Sequence, residues 1–302
     1  MNPRIALICD DPGWHGARLC EAFTGRGREV RVVSLRECAI DLTQAGHGLV
    51  VPGFDDGLPD GVFVRGVPGG TLEQVVLYLD LLHALHAQDI PVYNSGRAIE
   101  RSVDKGMTSL LLHQAGIPVP RTWVVSDPDQ AQAIWIRERA DGHRLVVKPL
   151  FGSQGLGIMR LSAKDELPAL DDYQGVYYLQ YFIEGSNYDW RVFVINGKAI
   201  ASMQRHGNHW VNNVAQGATC IAAPRDIELE TLAEAAADAL AMDYAGVDLM
   251  RDAGGMLQVI EVNGIPAWQG LQAACGVDIA AQLADDFCTR YLISRRVRAV
   301  GL

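Results

Sequence analysis

Three residues in the last quarter of the chain have the types and spacing to hold a hard cation. Asp248, Glu261 and Asn263 lie in YAGVDLMRDAGGMLQVIEVNGIPA, residues 244–267. Two apolar runs, 245–250 and 256–262, flank Asp252-Ala253-Gly254-Gly255. A Gly-Gly pair between β-type runs predicts a hairpin, because tight turns need positive φ. Folding about the midpoint between Gly254 and Gly255 sets Leu249 against Ile260 and Asp248 against Glu261. Asn263, two residues beyond Glu261, shares its face. Like charges directly opposite each other are destabilising. Mg²⁺ removes that repulsion and accepts this oxygen-only set when phosphates complete its shell. The plain alternative is a pair of solvated strand-end carboxylates. Against it, both residues have apolar neighbours on each side.

Only four of the 26 basic residues are lysines: Lys105, Lys148, Lys164 and Lys198. Lys148 sits inside the apolar run LVVKPL, residues 145–150. A buried ammonium is costly unless it snorkels or meets an anion. Phe151-Gly152-Ser153-Gln154-Gly155-Leu156-Gly157 follows, a glycine-rich loop whose backbone N–H groups suit phosphate oxygens. Lysine strand plus glycine loop outlines a phosphate clamp. No GK[ST] follows, so this is not a Walker motif. Arg65 ends a short strand, GVFVR, beside glycines. Its planar fork matches a substrate carboxylate, with a plain surface arginine as the alternative. Asp189, Arg191 and Arg205 fall on one predicted antiparallel sheet. Their alternative reading is a cross-strand ion pair on a solvated face.

The elements that position these residues follow from pattern. Residues 4–9 and 30–35 read as strands around a helix over 15–24, the βαβ opening of a doubly wound layer. The loop 10–14 lacks GxGxxG, so no dinucleotide site is expected. Thr71 and Gln74 form a capping box for a helix whose apolar residues have helical spacing. His83 and His86 on it have no partners at metal-ligand spacing. A short strand at 91–93 closes the layer. A helix over 97–114, a strand over 145–150 and a β run over 176–183 come next. Asn196-Gly197 predicts a type I′ hairpin. Residues 206–218, HGNHWVNNVAQGA, read as a mobile loop over a substrate. Helices over 226–242 and 277–291 complete the chain. The expected domains are 1–96, 97–185 and 186–302.

The chain has 302 residues, 49% of them hydrophobic, enough for a large core and several lobes. A formal charge of −10 makes nucleic acid and anionic membrane poor partners. No apolar run is long enough to span a bilayer, and no signal peptide is expected. Six scattered cysteines without CxxC spacing suit reduced thiols in a cytoplasm rather than a zinc site or disulfide scaffold.

From Lys105 to about Ala280 the chain resembles the ATP-grasp superfamily, and within it the RimK-type amino-acid ligases. The resemblance is carried, in family order, by VDKGMTSLLLHQAGIPVP, VVKPLFGSQGLGIMRL, LQYFIEGSNYDWRVFVINGKAIASMQRHGNHWVNNVAQGA, and AGVDLMR with VIEVNGIPAWQGLQAACGVDIA. It implies an α/β (α+β) ATP-grasp fold: an N-terminal doubly wound pre-ATP-grasp domain, then two α+β subdomains sandwiching ATP. Lys105 and Lys148 would hold the α- and β-phosphates. Gly152, Ser153, Gln154, Gly155 and Gly157 would fold over the triphosphate. Gln180, Tyr181, Phe182 and Ile183 would line the adenine slot, and Asp189 would bind the ribose. Arg191 and Arg205 would face the transferred phosphoryl group, and Asn213 would sit near phosphates and metal. Asp248, Glu261 and Asn263 would bind Mg²⁺, as a pair of ions, with Mn²⁺ an acceptable substitute.

Three positions depart from the family pattern. The hinge reads Gln-Tyr-Phe-Ile where a Glu-aromatic pair is usual. Gln216 stands where many relatives carry Arg, and Gly264-Ile265-Pro266-Ala267 replaces Ser-Pro-Gly. The last two bear on the acceptor more than on the chemistry. The implied reaction converts an acceptor carboxylate to an acyl phosphate, which the amine of an amino acid attacks to leave an amide, ADP and phosphate. A lid is expected to keep out water, from the glycine loop and residues 207–217. The leading acceptor is a small molecule such as a pterin or furan one-carbon carrier, with glutamate as the added amino acid. The alternatives are an amino-group carrier protein of lysine or arginine biosynthesis, a protein C-terminus, or a non-catalytic nucleotide-binding module. A monomer and a homo-oligomer both stay open.

Overall fold

A computed structural model describes residues 2–43, 46–152, 155–185, 188–207 and 218–293. The chain divides into two compact units. Residues 1–100, 242–245 and 264–302 form the first, and 101–241 with 246–263 form the second. The sequence-derived segments 97–185 and 186–302 therefore do not map one to one onto these units.

The first unit carries a parallel four-stranded sheet, built from β1 (Arg4–Ile8), β2 (Glu29–Val33), β5 (Gly61–Val64) and β6 (Val92–Tyr93) in the order β2-β1-β5-β6. Between β2 and β5 lies a small ladder of β3 (Ala39–Ile40) with β4 (Leu49–Val50). Parallel strands need crossovers, and α1 (Gly13–Thr24) and α2 (Leu72–Ala87) supply two of them. The expected Thr71–Gln74 capping box is present at the start of α2. One face buries Ala6, Ile8, Val62 and Val64 against Tyr78, Leu81, Leu82 and Leu85 of α2. An aromatic group of Phe23, Phe63, Tyr93, Tyr244 and Phe287 packs with ring centroids 5.2–6.0 Å apart. The closing helix expected over 277–291 is α8 (Ile279–Phe287), which runs on without a break into a π-helical turn, Cys288–Ile293; a short α7 (Gln269–Cys275) precedes it.

The second unit holds two antiparallel sheets. The four-stranded sheet runs β7 (Thr122–Val125), β10 (Tyr177–Tyr181), β8 (Leu145–Lys148), β9 (Met159–Leu161). One face packs Leu145, Val147 and Leu179 on Ala131, Ile134 and Trp135 of α5 (Pro128–Ala140). The other face carries Lys148, Tyr178 and Gln180 by strand alternation. The five-stranded sheet runs β13 (Thr219–Ala222), β12 (Lys198–His206), β11 (Tyr188–Ile195), β14 (Tyr244–Arg251), β15 (Leu257–Asn263). Helix α6 (Ile227–Ala239) packs along β11, β12 and β15. Asn196 and Gly197 have φ of 49° and 68°, as the type I′ prediction requires.

Two expectations change. The helix over 97–114 is broken into α3 (Gly96–Val103) and α4 (Lys105–Gln114). Asp104 ends the first and caps the second, its carboxylate accepting from Met107 N–H at 2.9 Å. The β14–β15 hairpin pairs Asp248 with Glu261 and Gly246 with Asn263 as expected, but Leu249 meets Val259, not Ile260. A bulge absorbs Ile260. The turn is organised by Asp252, whose Oδ1 accepts from the N–H groups of Gly254 and Met256, each at 2.9 Å.

Candidate active site

Lys148 is the last residue of β8 and is buried, as its apolar context predicts. Its ammonium donates to Gln180 Oε1 at 2.7 Å and lies 5.6 Å from the Tyr178 ring centroid. Gln180 is buried too, and its amide donates to Thr122 Oγ1 at 3.0 Å and the Tyr178 hydroxyl at 2.8 Å. Burial lowers the Lys148 pKa to about 8, with the charge of Glu261 working in the opposite direction. Lys105 opens α4, and its ammonium donates to the Gly152 carbonyl at 2.8 Å. Burial lowers its pKa as well, again with Glu261 as the chief opposing charge. The two lysines, the glycine loop and Glu261 thus share one electrostatic neighbourhood.

The five-stranded sheet contributes an ion cluster. Asp189 and Arg191 share a face of β11, and Arg205 is the cross-strand partner of Asp189. Arg205 donates to both oxygens of Asp189, at 2.7 and 2.9 Å. Arg191 forks onto Asp248 with two contacts of 2.6 Å, and Arg205 reaches Asp248 Oδ2 at 2.9 Å. The cross-strand ion pair is real, but its face is not solvated: Arg205 and Asp248 are each only 5% exposed. Burial pushes Asp189 up to about 6 against the pull of Arg205. Burial also raises Asp248, but Arg191 and Arg205 outweigh it and hold that carboxyl below its usual range.

Asp189 was expected on a ribose. Both its oxygens are instead engaged by Arg205 in a buried pair, so it orients that arginine. Tyr181 was expected to line the adenine slot. Its side chain projects from the α5 face of β10, where its hydroxyl meets Glu138, His143 Nδ1 at 2.8 Å and Arg121 at 3.2 Å. Alternation from Gln180 makes this unavoidable, and only the Tyr181 backbone stays on the slot side. The Phe182 ring lies beneath the Arg160 guanidinium at 5.2 Å, next to Ile183. Gly155 and Gly157 have φ near 73° and 72° and Gly152 lies at 146°, so all three adopt glycine conformations. Ser153, Gln154 and Asn213 lie outside the described residues, as do Gln216 and most of the 206–218 loop. Arg65 belongs to the first unit, whereas every other described site residue belongs to the second.

Three residues went unremarked in the sequence. Tyr178, Thr122 and Ser109 brace the Lys148–Gln180 contact, with Ser109 Oγ and the Tyr178 hydroxyl 2.8 Å apart. Tyr178 was discoverable, because it stands two residues from Gln180 on one strand and therefore shares its face.

The donor set passes the test for magnesium. It is all oxygen, as a hard cation requires. Among the described residues the Glu261 carboxylate accepts no hydrogen bond, so its oxygens are open to a cation. Asp248 accepts three N–H groups, which leaves its two oxygens about one lone pair for a cation.

Residues 102–287 match the model of the RimK-like ATP-grasp domain. The chain belongs to the RimK-like ATP-grasp family. Its relatives include the tetrahydromethanopterin:α-L-glutamate ligase of Methanococcus maripaludis, 35% identical over 74% of this chain and 77% of that protein. A probable α-L-glutamate ligase of Aliivibrio fischeri is 30% identical over 94% of each. The fold is also that of the ATP-grasp ligase PsnB, at TM-score 0.75 and 23% identity over 96% of this chain and 99% of that one. A RimK domain ATP-grasp protein from Sphaerobacter thermophilus aligns at TM-score 0.67 and 23% identity, over 93% and 98% of the two chains. This RimK-like protein is an ATP-dependent ligase that forms carbon–nitrogen bonds. Among its described residues no helix is long and apolar enough to cross a membrane.

Proposed function

We propose that this RimK-like ligase adds L-glutamate to the carboxylate of a pterin-type one-carbon carrier, releasing ADP and phosphate. The observation that carries the reading is Glu261, a carboxylate uncommitted among the described residues, set against Asp248 and beside the electrostatically coupled Lys105 and Lys148. The choice of acceptor is supported by relatives named for tetrahydromethanopterin, among them a Methanocaldococcus jannaschii protein 37% identical over 65% of this chain and 69% of its own length.

Lys105 and Lys148 neutralise the α- and β-phosphates of ATP, and the loop from Gly152 through Ser153, Gln154, Gly155 and Gly157 closes over the triphosphate. Tying Lys105 to the Gly152 carbonyl couples that loop to the lysine. Gln180, Phe182, Ile183 and the Tyr181 backbone receive the adenine. Arg191 faces the transferred phosphoryl group, and Arg205, held by Asp189, supports it from a deeper position. Asn213 approaches the phosphates. Glu261, the Asn263 amide oxygen and the remaining lone pair of Asp248 would hold magnesium, as a pair of ions, with Mn²⁺ as a substitute; the metal would supply charge neutralisation for phosphoryl transfer. The acceptor carboxylate takes the γ-phosphoryl group, and the resulting acyl phosphate loses phosphate when the glutamate amine attacks its carbonyl. Such chemistry needs position and compensating charge more than covalent help from protein, which suits a site of lysines and arginines.

The test incubates the protein with ATP, Mg²⁺, a panel of amino acids and reduced pterins, following ADP and product mass. ADP release with a pterin gaining one or more glutamate residues is expected. Modification of a protein in added extract, with no small-molecule product, would redirect the reading to a carrier protein.

A further inference from the structure

A cavity of about 310 Å³ lies within the first unit, walled in part by Cys9, Asp11, His15, Arg65 and Val67. Arg65 follows β5, and its guanidinium carbon sits 5.2 Å from the centre of the Trp268 ring. Among the described residues it has no carboxylate partner, and its buried Nε makes no hydrogen bond. Burial depresses its pKa, with only weak opposing charges from Tyr244 and Cys9. A guanidinium cannot shed its charge as a lysine does, so in an apolar wall it calls for an anion.

His15 narrows the kind of anion. The Trp268 backbone N–H donates to His15 Nε2 at 3.1 Å. That bond makes Nε2 the acceptor and leaves the proton on Nδ1. The ring is also wedged edge-to-face between Trp14 and Trp268, at 5.0 and 4.7 Å. Burial, then Arg65, lowers its pKa to about 4, so at neutral pH it is an uncharged N–H donor. The cavity wall therefore offers one fixed positive charge and one neutral donor, which matches a singly charged planar anion better than a phosphate dianion. The acids nearby do not compensate Arg65. Asp10 accepts from Ser34 at 2.6 Å and Arg36 at 3.0 Å, and Asp11 Oδ1 accepts from the Gly13 N–H at 2.9 Å. The second Asp11 oxygen is left as an acceptor for an N–H or O–H group.

We infer that this cavity is a carboxylate-binding site, with Arg65 as the fork, His15 as the accessory donor and Asp11 accepting from a donor elsewhere on the same molecule. Resting on the ligase reading above, it takes the carboxylate of one of the two substrates, the amino acid or the acceptor.

The full chain is titrated with L-glutamate and, separately, with pterin-6-carboxylate, for the wild type, Arg65→Gln and Arg65→Lys. The neutral variant should lose at least about tenfold in affinity for one probe, with partial recovery in Arg65→Lys, as a charge-assisted bidentate contact demands. The probe that responds names the substrate. MgATP affinity should be unchanged in all three proteins, which also reports that they are folded. If neither probe binds, or if Arg65→Gln binds both like the wild type, the site assignment is overturned. Arg65-dependent binding in a protein that never releases ADP would keep the pocket and sink the ligation reading instead.

Discussion

Lys148 donates a 2.7 Å hydrogen bond to the amide oxygen of Gln180, so a buried ammonium rests on a neutral partner. With its pKa lowered by burial to about 8, Lys148 is charged at neutral pH and loses its charge as pH rises through 8. ATP affinity should therefore fall above about pH 8. Gln180→Glu sets a carboxylate against the ammonium, raises its pKa and moves that fall to higher pH. Dissociation constants for ATP between pH 6.5 and 9.5 test this; an identical profile in both proteins would detach Lys148 from the phosphates.

The same residue costs stability. Its folded-state pKa lies below its usual 10.5, so the folded chain holds fewer protons than the unfolded one between about pH 8 and 10.5. The penalty is present in full below about pH 8 and is relieved as pH rises through that window. A lowering from 10.5 to about 8 corresponds to about 3 kcal/mol. Lys148→Met should be harder to unfold in urea at pH 7 while binding ATP about 10- to 100-fold more weakly, the worth of one charged hydrogen bond.

The Glu261 carboxylate accepts no hydrogen bond among the described residues but is the chief charge opposing the burial of Lys105 and Lys148, so Glu261→Gln should lower the thermal midpoint modestly and leave the protein folded. Turnover should drop by about three orders of magnitude, as for loss of a charged group acting on phosphoryl transfer. Near-wild-type ADP release at saturating Mg²⁺ would dismiss its metal role.

Asp189 and Arg205 form a buried pair with contacts of 2.7 and 2.9 Å. Asp189→Asn should destabilise the fold by about 3–5 kcal/mol, because it leaves Arg205 short of a charge. Discrimination between ATP and 2′-deoxy-ATP separates this role from ribose binding. The ratio of kcat/KM for the two nucleotides should be the same in both proteins; a ratio that collapses toward one in the variant restores the ribose assignment.

Gly157 combines a φ of 72° with crowding, since an added Cβ would lie 2.8 Å from Pro149 Cγ. Gly157→Ala should raise KM for ATP about tenfold, from about 1–2 kcal/mol of left-handed backbone strain plus the clash. Unchanged nucleotide kinetics would separate this loop from the triphosphate.

Much of the site was legible because strand alternation is a short-range rule. The opposition of Asp248 and Glu261, with Asn263 one pleat on, follows from a turn and a period of two. Lys148 was recognisable because an ammonium inside LVVKPL must be explained by something other than burial of apolar surface. The same rule predicts that Tyr181 faces away from Gln180, so four consecutive hinge side chains cannot all line one slot.

The motifs by which the chain resembles its family, the hairpin, the glycine loop and the identity of the charged groups all lie in the sequence itself. Tertiary structure alone decided which charge meets which. The Asp189–Arg205–Asp248–Arg191 cluster needs β11, β12 and β14 side by side, and β14 begins at Tyr244, with 37 intervening residues, a helix among them, after the end of β12 at His206. Whether a carboxylate is solvated, paired or left to a cation depends on that long-range packing, because Coulomb energies and desolvation costs change severalfold with burial. No periodicity along the chain encodes them.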